Sequence, residues 1–96
     1  MTDLEKARIS INRIDREMAD LFEQRMQAAR VIAAYKNEKG LPIEDLKREK
    51  ILIENNCGCI TEESLLPYYI RFLRQMIELS KEYQRQLCGR DPNGAD

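Results

Sequence analysis

A chain of 96 residues allows one domain, and one this short buries only about 60–65% of its unfolded surface, so a lone protomer is marginal. Apolar residues make up 43% and charged residues 34%, with two Phe and no Trp, which is the composition of a helical protein rather than a sheet or a disordered chain. A net charge of −1 excludes a nucleic-acid or anionic-membrane surface, no apolar run approaches the roughly 18 residues that span a bilayer, and the opening MTDLEKARIS has no secretory core. The expected compartment is the cytoplasm.

Two strong breaks, Gly40–Leu41–Pro42 and Asn55–Asn56–Cys57–Gly58, divide the chain into three predicted helices. The first covers Asp3 to Lys39, with Asp3 as its expected cap and Gly40 as its stop. It carries a seven-residue repeat. One column is Leu4, Ile11, Met18, Arg25, Ile32; its companion is Ala7, Ile14, Leu21, Ala28, Tyr35. This is a seam that packs lengthwise against other helices. The second helix covers Glu44 to Asn56 and sets Asp45, Arg48 and Glu49 on one face. The third starts between Thr61 and Ser64, either of which can cap it, and ends near Cys88–Gly89. Its stripe is Leu66, Ile70, Leu73, Ile77, Ser80, Gln84, Leu87. Residues 1–89 form the helical domain; 90–96, RDPNGAD, are a polar tail expected to be disordered.

Helix length implies a second chain. At 1.5 Å per residue the first helix spans roughly 54 Å. A compact domain of this size is only about 32 Å across. The helix overhangs any globule its own chain can build, yet its seam runs on to Tyr35. The expected architecture is an all-α, intertwined homodimer with long, short and medium helices.

Polar residues interrupt these seams. Arg25 is the only charge in either column of the first helix, and burying an isolated cation costs several kcal/mol. It must snorkel to water, pair with an internal acid, or meet an anionic ligand. Lys36 lies 11 residues on, about 16 Å along the same side. Arg48, Asp45 and Glu49 are either a solvated, salt-bridged face or one wall of a pocket. Ser80 and Gln84 are either tolerated polar residues or its other wall. A dianion in that pocket calls for one more cation. Arg8 is available, but lies roughly 25 Å from Arg25 on the same rod, so only an antiparallel partner helix can deliver it.

The chain has no histidine, which removes the usual general base, and its three cysteines lack zinc-ligand spacing. Cys57, Cys59 and Cys88 read as reduced thiols. No metal or other cofactor is expected.

The spaced set R8…D15…R25…K36, the string D45-L-K-R48-E49 and S80-K-E-Y-Q84 resemble the all-helical chorismate mutases, small intertwined dimers that convert chorismate to prephenate in aromatic amino-acid biosynthesis. The match covers about residues 4 to 88. The resemblance implies that Arg25 and Arg8 of the partner chain grip the substrate carboxylates. It implies that Lys36 and Gln84 meet the ether oxygen of the breaking bond, and that Glu49 accepts the ring hydroxyl with Asp45 beside it. Arg48 and Ser80 match supporting polar positions, and Ile32 and Ile77 match the apolar walls of the ring. Lys81 departs from the pattern, standing where some relatives carry an apolar residue. The implied reaction is a [3,3] rearrangement within one molecule. It needs neither nucleophile nor proton transfer to the protein, which suits a site without histidine. Two other readings stay open on the residues: an isochorismate–pyruvate lyase on the same scaffold, and a non-enzymatic helical dimerisation module in which Arg25 sets register.

Overall fold

The computed structural model describes residues 1–91, and the predicted tail lies outside the described residues from 92 onward. Three helices account for most of the rest: α1 (Asp3–Lys39), α2 (Leu46–Cys57) and α3 (Leu66–Leu87). A short 3-10 turn, Glu63–Leu65, leads into α3.

The helix ends follow local chemistry. Thr2 rather than Asp3 caps α1. Its hydroxyl accepts the Glu5 backbone N–H at 3.1 Å, which satisfies an orphan donor of the first turn, and donates to the Glu5 carboxylate at 3.2 Å. Gly40 ends α1 in the left-handed region (φ 65°, ψ 31°), where a side chain would be strained. The second helix begins at Leu46, two residues later than predicted, because Asp45 caps it by accepting the Arg48 N–H at 3.0 Å. Neither Thr61 nor Ser64 caps the third. The chain enters through the 3-10 turn, and α3 then starts with Pro67 in its first turn, where a missing N–H costs nothing.

α3 is the hub, with α1 packed along one side and α2 on another; no Cα atom of α1 comes within 8 Å of one in α2. The core is small. Ala29, Ala33, Ile43, Leu73 and Ile77 are buried, and Leu73 is its largest fully enclosed side chain. Only the C-terminal third of α1 takes part. Upstream of it, Leu4, Ile11, Ile14, Met18 and Leu21 stand 41–60% exposed, so most of the predicted seam has no cover within this chain. The shape matches that overhang: 55 × 25 × 20 Å, with a radius of gyration of 16.5 Å. A compact domain of this length has about 12–13 Å.

The stripe of α3 is buried from Leu73 to Gln84, but Leu87 is half exposed. Cys88 continues the covered side instead, its thiol donating to the Ala33 carbonyl. The segment between α1 and α2 is tied down at three points. Ile43 is buried, Lys36 Nζ donates to the Ile43 carbonyl at 2.8 Å, and Arg90 donates to the Leu41 carbonyl at 2.6 Å.

Candidate active site

The buried face of α3 changes character along its length. Leu73 and Ile77 are apolar; Ser80, Lys81, Gln84 and Arg85, the next four buried residues, are polar or charged. Burying polar side chains is costly unless they are paired or serve a ligand. Beside this polar half lies a cleft of about 420 Å³, within the range of small-molecule sites.

All three helices line it. α1 contributes Arg25, Ala28, Ala29, Ile32 and Lys36, spaced by three and four residues on one face. The two alanines keep α1 close to α3 and leave space between the longer side chains. Asp45 and the first two turns of α2 contribute Arg48, Glu49 and Leu52; α3 contributes Ile77, Ser80, Lys81 and Gln84. Nine of the ten residues singled out from the sequence therefore meet in one cavity. The tenth, Arg8, lies on the exposed N-terminal half of α1 and does not reach it.

The charges are unbalanced. Among the described residues, no ion pair includes Arg25, Lys36 or Arg48. Burial lowers the pKa of the Arg25 guanidinium, and the nearby Arg48 lowers it further. Both effects disfavour the charged form, as expected of a cation held without its counter-ion. Lys36 is half-buried, its ammonium donating to the Ile43 carbonyl. Gln84 is nearly enclosed: Nε2 donates to Ser80 Oγ at 3.1 Å, while Oε1 has no partner. A half-turn of the amide exchanges those atoms. Ser80 then donates to Oε1, and Nε2 becomes the unengaged group, because a hydroxyl serves equally as donor or acceptor.

Asp45 is partly committed, since one carboxylate oxygen caps α2. Glu49 turns toward α3, where Lys81 Nζ lies 3.3 Å from one of its oxygens and 3.5 Å from the other. The same ammonium meets Glu44 at 3.0 Å and Glu78 at 2.9 Å. Burial by itself lowers the Lys81 pKa; hydrogen bonds that its ammonium donates to Glu78, Glu44 and Glu49 outweigh it and hold the group above the ordinary lysine range. From the sequence alone Lys81 stands out only as a departure from the family pattern. One signal was available: Leu73, Ile77 and Lys81 are spaced by four, which puts Lys81 on the buried stripe.

The described residues contain no group of His, Cys, Asp and Glu arranged to hold a metal ion, and no helix is long and apolar enough to cross a membrane.

Residues 7–85 match the profile of the family Chorismate mutase type II. The chain belongs to that family. It is also 34% identical over 89 residues to the bifunctional chorismate mutase/prephenate dehydratase of Buchnera aphidicola subsp. Schizaphis graminum (strain Sg). That alignment takes in 92% of this chain and 23% of the relative, so the chain spans about a quarter of that protein's length. No solved structure matches the chain. The matched region runs from just before Arg8 to just past Gln84, and so includes every residue of the cleft.

Proposed function

We propose that the chain converts chorismate to prephenate, and that it does so as a homodimer with each cleft completed by Arg8 of the other protomer. The observation that carries this reading is the uncompensated charge of Arg25, Lys36 and Arg48 around one cavity in a member of this family. Such a site suits a small dianion.

In this reading Arg25 and the partner's Arg8 hold the two carboxylates. Planar guanidinium forks bind carboxylates bidentately and so fix the substrate's shape. Lys36 and the freed Nε2 of Gln84 face the ether oxygen, where negative charge grows as the C–O bond breaks. Glu49 accepts the ring hydroxyl, with Asp45 and Arg48 beside it and Ser80 setting the Gln84 amide. Ile32 and Ile77 wall the ring. No atom leaves the substrate and no proton passes to the protein, so the catalytic task is positioning and electrostatic stabilisation.

Two features support the dimer. One is the long exposed seam of α1. The other is an apolar groove between α1 and α3, lined by Met18, Leu21, Phe22, Tyr69, Phe72 and Met76 among others. Its cavity is about 810 Å³, and patches of this kind on small proteins mark interaction surfaces. A cytoplasmic location belongs to the same reading and suits three unpaired cysteines.

The deciding experiment follows loss of chorismate by ultraviolet absorbance and identifies the product. Prephenate is expected. Inert chorismate overturns the reading, and salicylate plus pyruvate from isochorismate replaces it with a lyase.

A further inference from the structure

We propose that Lys81 is a positioning residue: its ammonium fixes the Glu49 carboxylate for the substrate's ring hydroxyl and keeps that carboxylate from neutralising the cations that bind the dianion. The inference rests on Glu49 being the hydroxyl acceptor, as proposed above.

The geometry assigns Lys81 this indirect role. An ammonium has three N–H donors. Three carboxylates surround this one: Glu78 at 2.9 Å, Glu44 at 3.0 Å and Glu49 at 3.3 Å. No donor is left for a ligand, although Lys81 lines the cleft. The Lys81 side chain is 8% exposed, so its ammonium is largely shielded from water. Glu49 is the most buried of the three acids, at 20% side-chain exposure against 43% for Glu44 and 57% for Glu78. It is also the only one of the three that lines the cleft. Both of its oxygens lie near Lys81, yet an ionised carboxylate has about four acceptor sites, so capacity remains for a hydroxyl donor.

The alternative partners of Glu49 make the constraint matter. Arg25, Lys36 and Arg48 share the cavity with it and carry no acid of their own. Without Lys81, Glu49 would turn to those cations, and a substrate carboxylate would have to displace it. Lys81 thus separates the charges of the cleft: Glu49 is bound on the α3 side, and the cations stay open. Glu44 precedes α2 and Glu78 sits on α3, so the cluster also fixes α2 against α3 at the level of the site.

The test compares chorismate with an analogue in which hydrogen replaces the ring hydroxyl. It uses the wild-type chain, Lys81→Met, Lys81→Gln, Lys81→Arg and Glu49→Met. A site built around a hydroxyl rejects the deoxy analogue strongly, and the wild type is expected to prefer chorismate by about 10²-fold or more in kcat/KM. In Lys81→Met that preference falls below tenfold, with a raised KM for chorismate, while Lys81→Arg restores most of it. Lys81→Gln offers the acids a neutral donor; it behaves like Lys81→Met and carries the test if the methionine variant does not fold. Equal losses on both substrates would mean that Lys81 serves only the fold, and an unchanged preference would mean that it does not hold Glu49; either result overturns the proposal. Glu49→Met, which has no oxygen to accept the hydroxyl, keeps the two questions apart. If it retains the wild-type preference, Glu49 is not the hydroxyl acceptor, whatever Lys81 does.

Discussion

Arg25 on α1 and Arg48 on α2 line the same cleft, neither in an ion pair among the described residues, and Arg48 adds to burial in lowering the Arg25 pKa. Like charges brought together on folding are a cost that only a ligand or a functional need explains. Replacing Arg25 with Met keeps the volume and removes the repulsion. The ligand-free Arg25→Met variant is expected to melt about 2–5 °C above the wild type, while turnover falls by about 10²–10³. Thermal melts paired with the chorismate assay check both halves. A lower melting temperature would show that Arg25 is a structural cation after all.

Lys36 joins the site to the segment that follows α1. Its Nζ donates to the Ile43 carbonyl, and its own carbonyl accepts the Leu41 N–H at 2.8 Å. Substrate binding would exchange or share the first of these contacts. Lys36→Met should lose about 10²–10³ in kcat. Loss of one half-buried hydrogen bond should cost only about 1 kcal/mol in stability. Steady-state kinetics and urea unfolding measured on one preparation separate the two. A drop in activity explained by unfolding alone would leave Lys36 without a catalytic role.

The sequence and the structure agree where the signals are local and part company where they are not. α1 is legible because no Gly or Pro interrupts Asp3 to Lys39 and Gly40 supplies the left-handed stop. The choice of Thr2 over Asp3 as cap turns on Glu5, three residues on from Thr2, whose backbone N–H and carboxylate both bond the Thr2 hydroxyl. Asp45 illustrates a limit: an acid just before a helix is read equally well as a ligand-binding group or as a cap, and the structure shows it capping α2 while lining the cleft. The Lys81 cluster needs Glu44 from before α2, Glu49 from α2 and Glu78 from α3. Nothing within a single helical turn announces such a meeting beyond the i, i+3 pair with Glu78.

That cluster also sets a pH window. A lysine whose pKa rises on folding lends stability at every pH below its ordinary value, and loses it only as pH climbs through the raised folded value. The Lys81 pKa is raised. The stability gap between wild type and Lys81→Met should therefore be the same at pH 7 and pH 9, narrowing only above the ordinary lysine pKa of about 10.4. Urea titrations of both proteins across that range test it. A gap that closes between pH 7 and pH 9 would show that the ammonium is not held by its three acids.

Arg8 provides the sharpest test of the dimer. It sits 17 residues before Arg25 on one continuous helix and lies outside the cleft of its own chain. Arg8→Ala and Arg25→Ala are each expected to be nearly inactive. In a mixed dimer, the chain that keeps Arg25 meets the Arg8 of its partner, so one of the two clefts has both arginines. Equal mixing with full exchange makes half of the dimers mixed, so recovery to about a quarter of wild-type turnover follows from the two-fold arrangement. Exchange is confirmed separately by mass labels on the two variants. If labelled chains mix and activity stays absent, each protomer works without its neighbour's Arg8, and the exposed seam of α1 must be covered for some other reason.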